Sequence, residues 1–485
     1  MIAQRDVIAL WGDLGAGKTS LARAIIQTLL AASGLREDVP SPTFTLVQTY
    51  EAGSLPIWHA DLYRLSDPDE LIELGLEEAL EGGLLLIEWP DRMADELPAE
   101  RLDIELKEVG DGRVACLTGR GAAWEDRINR WGTATRSFLQ GDASLRRYER
   151  LALNGANGVL MDWPAGPDAP SEGTHAAYSK LAHLAEDVRP FVAVGSYLKS
   201  LGLRAPDIIS SDLEHGFLLL EDFGTADFGG VIDKGKGPAG EVLDDMYRAG
   251  LDVLVALQQA GTPGLLSVGD GSTHDVPSFD DGIYRIETAM PLDWYLPVVM
   301  GTQASDDLRA EYDAIWTALW PLIEAGPRTL FLRDFHSPNI LWQSKGRGLE
   351  RVGLIDYQDA LIGSLAYDPV SFLQDARRDV PVEREEVMRG YYVQAMKNAD
   401  ARFDADEFEA AYAVLGAERA LRLMGLWPRL LKRDNKPHYM GHMARTQDYL
   451  RRNLAHPALS DLASFVENHF LKDAPAAGQI AETPA

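Results

Sequence analysis

The chain has 485 residues, 46% hydrophobic and 25% charged, which fits a soluble globular protein of two or more domains. A net charge of −29 and a pI near 4.7 exclude nucleic-acid binding by the surface as a whole, so no direct nucleic-acid contact is expected without a local basic patch or a partner. No apolar run approaches the ~20 residues of a membrane span, and the opening Met1-Ile2-Ala3-Gln4-Arg5-Asp6 lacks the basic start and long apolar core of a signal peptide. The one cysteine, Cys116, permits no internal disulfide and sits in an alternating apolar run that reads as core. These features together describe a cytoplasmic protein with no membrane partner.

Asp6-Val7-Ile8-Ala9-Leu10-Trp11 is an apolar run of strand length, followed at once by Gly12-Asp13-Leu14-Gly15-Ala16-Gly17-Lys18-Thr19 and then by helical periodicity over 20–30. Strand, G-x-x-x-x-G-K-T and helix in succession make a phosphate-binding loop. Gly12, Gly15 and Gly17 let backbone N–H groups turn inward on the phosphates of ATP. Lys18 reaches their oxygens, Thr19 offers a hydroxyl to Mg²⁺, and the helix N-terminus adds its dipole. Pro40-Ser41-Pro42-Thr43-Phe44-Thr45-Leu46-Val47 is a Pro-bounded loop entering a strand. Ile57-Trp58-His59-Ala60-Asp61 ends on an acid fit for a metal, and Leu84-Leu85-Leu86-Ile87-Glu88 ends on another.

In order and spacing, 12–19, Ser41-Pro42-Thr43-Phe44, His59-Ala60-Asp61-Leu62-Tyr63-Arg64 and Ile87-Glu88-Trp89-Pro90 resemble the TsaE (YjeE) family over residues 6–120. That family is the ATPase subunit of bacterial tRNA threonylcarbamoyladenosine (t6A) synthesis. The resemblance implies that Thr43 lies in a switch-like loop near the γ-phosphate and that Asp61 serves Mg²⁺. It implies that Glu88 positions water, that Trp89 lies near the nucleotide, and that the partners are the other subunits of the tRNA-modifying complex. Family members carry a further strand and helix ahead of the P-loop strand, whereas this sequence opens almost on that strand. Either translation starts upstream or this domain lacks the element, and in the second case adenine binding and protection of the sheet edge are what it bears on.

Val109-Gly110-Asp111-Gly112-Arg113 reads as a hairpin turn, and Gly119-Arg120-Gly121 breaks the pattern, so a first domain is placed at 1–121. A helix over 123–137 is expected to enter a second domain, 122–472, and the small-residue run after Leu471 reads as a disordered tail over 473–485. Residues 137–151 read as two strands around a small-residue turn, and 158–164 as a third strand. Helical runs over 176–184 and 190–201 follow, and 216–224 is a strand running into a polar turn. This is the order of a kinase small lobe, about 130–225, with a large lobe over about 226–470. Asp142 and Ser144 sit where a Gly-rich loop would cover phosphates, and they are equally the residues of an ordinary turn. A kinase fold has a Lys on its third strand, and 158–163 contains none. Arg146 or Arg147 is the candidate substitute, with His175 and Lys180 open. Glu221 and Asp222 would offer hinge backbone to adenine.

Phe331-Leu332-Arg333-Asp334-Phe335-His336-Ser337-Pro338-Asn339 holds the D-x-x-x-x-N spacing of a kinase catalytic loop. In such a loop an Asp receives the substrate hydroxyl proton and an Asn holds a metal ion. Val352-Gly353-Leu354-Ile355 then delivers Asp356 to Mg²⁺. The fold class is therefore an α/β P-loop NTPase domain followed by an α+β bilobal, protein-kinase-like domain.

Asp142-Ala143-Ser144-Leu145-Arg146-Arg147-Tyr148, Leu220-Glu221-Asp222-Phe223-Gly224, the catalytic loop and Leu354-Ile355-Asp356-Tyr357-Gln358-Asp359 resemble the aminoglycoside phosphotransferase-like superfamily over residues 130–465. The late segments Lys432-Arg433-Asp434-Asn435-Lys436-Pro437-His438-Tyr439 and Tyr449-Leu450-Arg451-Arg452 are similar to its AmgK branch, anomeric kinases of N-acetylmuramate and N-acetylglucosamine in peptidoglycan recycling. The resemblance implies Asp334 as catalytic base, Asn339 and Asp356 as holders of Mg²⁺, and a small amino sugar as substrate. Asp359 is an outer acid by the same likeness, and His336 is either a phosphate or sugar contact or a loop-packing residue. Two alternatives stand beside the fused kinase and ATPase: a sugar kinase with a scaffolding P-loop module, and a kinase of aminoglycosides or other small alcohols.

Overall fold

The computed structural model describes residues 2–35, 37–43, 45–65, 74–109, 112–131, 135–139, 146–153, 156–163, 180–472 and 474. Ser144, Asp142, His175, the turn residues Gly110 and Asp111, and the expected tail apart from Ala474 lie outside the described residues. The chain forms two compact units, one of Met1–Thr135 with Ala152–Ala156 and the other of Arg136–Leu151 with Asn157–Ala485.

The first unit is built on a six-stranded sheet in the order β2-β3-β4-β1-β5-β6. Its strands are β1 (Val7–Trp11), β2 (Val47–Ala52), β3 (Leu55–Asp61), β4 (Leu84–Glu88), β5 (Arg101–Val109) and β6 (Gly112–Arg120). The inner strands β3, β4, β1 and β5 are parallel, and β2 and β6 join the edges antiparallel. Strands buried on both faces read as unbroken apolar runs, and Leu84-Leu85-Leu86-Ile87 does so because alternate residues feed two cores. Leu84 and Leu86 join Ile8, Leu10 and residues of helix α1 (Lys18–Ala32) on one face. Leu85 and Ile87 join Val7, Ala60 and residues of helix α2 (Leu76–Gly82) on the other.

Helix α3 (Ala122–Trp131) packs on this unit, which runs to Thr135. The cause is its apolar contact: Trp124 is buried with Ile8, Leu102 and Ile104. Arg127 clamps Asp6 through two bonds of 2.6 and 3.0 Å. Cys116 is exposed, contrary to the core reading, because β6 is an edge strand whose outer positions have no layer over them among the described residues.

The second unit opens on a five-stranded sheet ordered β10-β11-β9-β8-β7. Its strands are β7 (Thr135–Leu139), β8 (Arg147–Leu153), β9 (Ala156–Asp162), β10 (Ile208–Asp212) and β11 (Phe217–Glu221), with helix α4 (Arg189–Ser200) between β9 and β10. Helices then dominate: α5 (Phe228–Lys234), α6 (Leu243–Gln259), α7 (Asp281–Met290) and α8 (Asp306–Glu324). Short strand pairs follow, β14 (Arg328–Phe331) with β17 (Leu361–Ser364) and β15 (Ile340–Trp342) with β16 (Val352–Leu354); a two-stranded ribbon, β12 (Leu266–Ser267) and β13 (Thr273–His274), precedes them. The chain ends in α9 (Tyr367–Leu373), α10 (Val382–Ala399), α11 (Ala405–Asp434), α12 (Met443–Leu454) and α13 (Ser460–Val466).

The 30-residue α11 is the axis of the helical lobe and is buried along most of its length. Asp404 caps it by accepting from the N–H groups of Asp406 and Glu407. Gly425 lets it touch the end of α7, where a Cβ would lie 2.4 Å from the Met290 carbonyl.

Candidate active sites

In the first unit, register places the acids. Asp61 lies opposite Glu88 on neighbouring parallel strands, and Leu10 lies opposite Glu88 on the other side. All three strands therefore release their chains at the same sheet edge, the carboxyl edge at which open α/β sheets bind ligands. Gly12 leaves β1 with φ +135°, and a Cβ there would meet the Leu106 carbonyl oxygen at 2.6 Å. Only glycine fits that turn.

Lys18 Nζ donates to the carbonyls of Gly12 at 2.6 Å and Asp13 at 2.9 Å, and lies 3.7 Å from the centre of the Trp89 ring. Burial lowers the Lys18 ammonium below its ordinary value, against the pull of Glu88, Asp61, Asp13 and Asp91. Thr19 Oγ1 donates to Glu88 Oε2 at 2.7 Å, and His59 Nε2 meets Glu88 Oε1 at 2.9 Å. Thr43 Oγ1 donates to Asp61 Oδ2 at 2.7 Å and shares a 2.6 Å bond with Ser41 Oγ, while Tyr63 N donates to the other Asp61 oxygen at 3.1 Å. Trp89 adopts φ +59°, an uncommon left-handed value for a large side chain. Every sequence-predicted residue of this unit, from Gly12, Gly15 and Gly17 to Trp89, is thus gathered at one edge. His59, given no role from sequence, is fully buried and holds Glu88 in place. The signal for it was a polar ring inside an otherwise apolar strand.

The second unit's site is assembled between β14 and β16. Asp334 follows Arg333, which has φ +69°. This strained turn is held from beneath by Asp368 on α9, whose two oxygens accept from Leu332 N at 2.6 Å and Arg333 N at 3.0 Å. Arg333 Nη2 donates to buried Glu287 at 2.7 Å and its Nη1 to the Ala182 carbonyl at 2.8 Å. Asp375 accepts from Ser337 N at 2.7 Å and fixes the far end of the loop. Burial pushes the Asp368 carboxyl up to about 7. At Asp334, burial acts in the same direction but is outweighed by His336 and then by Arg333, Arg419 and Arg422, so its carboxyl lies below the usual range. Asp334 is an anion with its side chain 36% exposed, open to an acceptor.

Asn339 Nδ2 bridges the Asp334 carbonyl at 3.1 Å and Asp356 Oδ2 at 3.2 Å. Asp356 has φ +60°, and its Oδ1 accepts from Gln358 Nε2 at 3.0 Å and Arg146 Nη1 at 2.6 Å. Three donors converge on one carboxylate, and one of them, Arg146, supplies positive charge there. Asp356 and the amide of Asn339 supply hard oxygen donors that fit Mg²⁺. Among the described residues no group of three His, Cys, Asp or Glu is placed to hold a metal ion. Mg²⁺ characteristically takes one or two carboxylates and completes its shell from phosphates and water.

The two arginines separate. Arg146 reaches Asp356 and lies over the Trp163 ring at 4.8 Å. Arg147, the other candidate grip, is exposed on β8, because consecutive side chains of a strand point to opposite faces. The Glu221 side chain pairs with Arg204, and Asp222 pairs with Arg150 at 2.6 and 3.1 Å. Both carboxylates are therefore engaged within their own lobe. Asp359 accepts from Ala185 N at 2.7 Å, and burial raises its carboxyl. His336 is buried, with Nδ1 unpartnered 3.9 Å from Asp334, and burial lowers its imidazole. Asp368, Asp375, Glu287 and Arg422 had no role from sequence, since nothing in their local pattern marks them.

A P-loop site on a parallel sheet, joined in one chain to an Asp–Asn–Asp site on a kinase-type fold, defines an ATP- and Mg²⁺-dependent phosphotransferase carrying an ATPase unit. The chain belongs to the phosphotransferase enzyme family, whose model matches residues 135–406, and through residues 1–115 to the threonylcarbamoyl adenosine biosynthesis protein TsaE family. It is 34% identical to an N-acetylmuramate/N-acetylglucosamine kinase of Caulobacter vibrioides over 350 residues, 70% of this chain and 93% of that one. Identity to the kinase of the same name from Pseudomonas aeruginosa is 29%, over 69% and 90% of the two chains. The first unit is 44% identical to the tRNA threonylcarbamoyladenosine biosynthesis protein TsaE of Rickettsia bellii over 111 residues, 23% of this chain and 75% of that one. No helix among the described residues is long and apolar enough to cross a membrane.

Proposed function

We propose that the chain phosphorylates the anomeric hydroxyl of N-acetylmuramate or N-acetylglucosamine from ATP, giving the 1-phosphate for peptidoglycan recycling. In the same reading the first unit is an ATPase of t6A synthesis whose partners are the other subunits of that complex. The observation that carries the kinase reading is the anionic Asp334, half open, with Asn339 bridging its carbonyl to Asp356.

Phosphoryl transfer needs positioned oxygens and neutralised phosphates more than covalent help. Asp334 accepts the hydrogen bond of the sugar hydroxyl, orients its oxygen and receives its proton. Asn339 and Asp356 would hold Mg²⁺, which when bound offsets phosphate charge. Arg146 supplies the cation that a third-strand Lys supplies in other kinases. Backbone at Glu221 and Asp222 receives adenine. In the first unit, Lys18 and the 12–19 loop hold phosphates, Thr19 and Asp61 serve Mg²⁺, and Thr43 and Glu88 attend the γ-phosphate and water beside Trp89. The functional division is a P-loop domain, a kinase domain to about residue 472 and a short tail, located in the cytoplasm.

The test is a panel of N-acetylmuramate, N-acetylglucosamine, an aminoglycoside and a simple primary alcohol with ATP, read by ³¹P NMR of the product. An anomeric phosphate on the amino sugars is expected. Phosphate only on the aminoglycoside or the primary alcohol would overturn the reading.

A further inference from the structure

Helix α11 carries Arg419 and Arg422 one turn apart, which puts both side chains on one face. Arg422 is anchored: its Nη1 donates to Glu287 Oε1 at 3.2 Å, and the same oxygen accepts from Arg333, the neighbour of Asp334, at 2.7 Å. Arg419 differs. It is 5% exposed, its Nε is shut off from water without a hydrogen-bond partner, and it makes no hydrogen bond or ion pair among the described residues. An unpaired buried charge is one of the costliest groups a protein interior can hold. A ligand carboxylate would supply the partner that its Nε lacks among the described residues.

The position of Arg419 says which ligand. Its field acts on Asp334, His336 and Asp368, around the carboxylate that faces the acceptor, and on the adjacent Glu418, which burial raises. The metal-binding carboxylate on the other side already has its own arginine, Arg146 on Asp356. The two amino sugars proposed above differ in charge, because N-acetylmuramate bears a carboxylate that N-acetylglucosamine lacks.

We propose that Arg419 is a specificity residue of the acceptor site, pairing with the carboxylate of an acidic amino sugar whose hydroxyl faces Asp334. This rests on the sugar-kinase reading. Arginine suits the role because its guanidinium binds a carboxylate through two parallel bonds.

The experiment measures kcat and KM of the full chain for both sugars, in wild type, Arg419→Gln and Arg419→Lys. The ratio of kcat/KM for N-acetylmuramate over N-acetylglucosamine should fall about tenfold or more in Arg419→Gln, through KM, as expected for a lost charge-assisted bond. The Lys variant, which keeps the charge, should lose less. A ratio unchanged from wild type overturns the assignment. A matching fall of kcat on both sugars also overturns it, since that places Arg419 on the transferred phosphoryl group. Thermal melting separates a scaffold role: a ligand-binding charge leaves Tm unchanged or raised when removed, whereas a lowered Tm with an unchanged ratio overturns the proposal. Should Arg419→Gln not fold, Arg419→Lys carries the same comparison. If the wild type turns over neither sugar, the kinase reading itself fails, independently of Arg419.

Discussion

Arg146 Nη1 donates to Asp356 Oδ1 at 2.6 Å, joining residues 210 positions apart in the chain. A guanidinium thus sits on the carboxylate proposed to hold Mg²⁺. Arg146→Ala should raise the KM for ATP in sugar phosphorylation about tenfold or more, the range for a lost charge-assisted contact. Arg147→Ala should stay near wild type because its side chain is exposed. Initial-rate kinetics over an ATP series check both, and equal effects of the two variants would return Arg147 to the site.

Asp334 and Lys18 lie in different units of the chain. Asp334→Asn removes the proton acceptor and should lower kcat for sugar phosphorylation by about 10²–10⁴-fold, with Tm nearly unchanged because the side chain is half exposed. Lys18→Ala should leave that rate nearly intact while abolishing the ATPase activity of the first unit. Loss of sugar phosphorylation in Lys18→Ala would show that the two units do not work as independent catalysts.

His59 is fully buried against Glu88. His59→Ala leaves one Glu88 oxygen without its partner, and removing one partner of a buried hydrogen-bonded charge costs about 1–3 kcal/mol. A lower Tm and slower phosphate release are expected, with His59→Gln, which retains a donor, losing less. An unchanged melting curve for His59→Ala would mean that solvent satisfies Glu88 there.

Glu418 is buried beside Glu287, with Arg422 and Arg419 near, and burial pushes its carboxyl up to about 8. Its folded pKa thus exceeds the ordinary unfolded value of about 4.3. Folded chains then hold a proton that unfolded chains release, so its contribution to stability is present at low pH and is lost as pH rises through about 8. Glu418→Gln, which mimics the neutral acid, should gain in Tm relative to wild type as pH goes from about 6 to 9. Thermal melts across that range decide it. A constant difference would mean that Glu418 ionises normally.

What could be read before the structure was what depends on neighbours in sequence. The glycines of 12–19 and the spacing of Asp334 and Asn339 are short-range geometry, because one turn of backbone sets where those groups point. Face assignments were harder. Alternation in β6 marked Cys116 as core, but Ala115, Cys116, Leu117 and Thr118 are all exposed on this edge strand, so neither half of the pattern is covered there by the described residues. The amphipathic run at Trp124 announced a helix without naming its partner, and that partner is the first unit's core.

Short motifs alone establish that two nucleotide chemistries share this chain, and which acids terminate their strands. Those signals are contiguous, and each is fixed by local backbone and strand length. Only the tertiary structure put Arg146 rather than Arg147 on Asp356, set Asp368 under the turn at Arg333, tied Glu88 to His59, and buried Arg419 Nε without a hydrogen-bond partner among the described residues. Each of those pairings spans tens to hundreds of residues. Which charge is desolvated beside which is decided by packing, and no spacing along the chain encodes it.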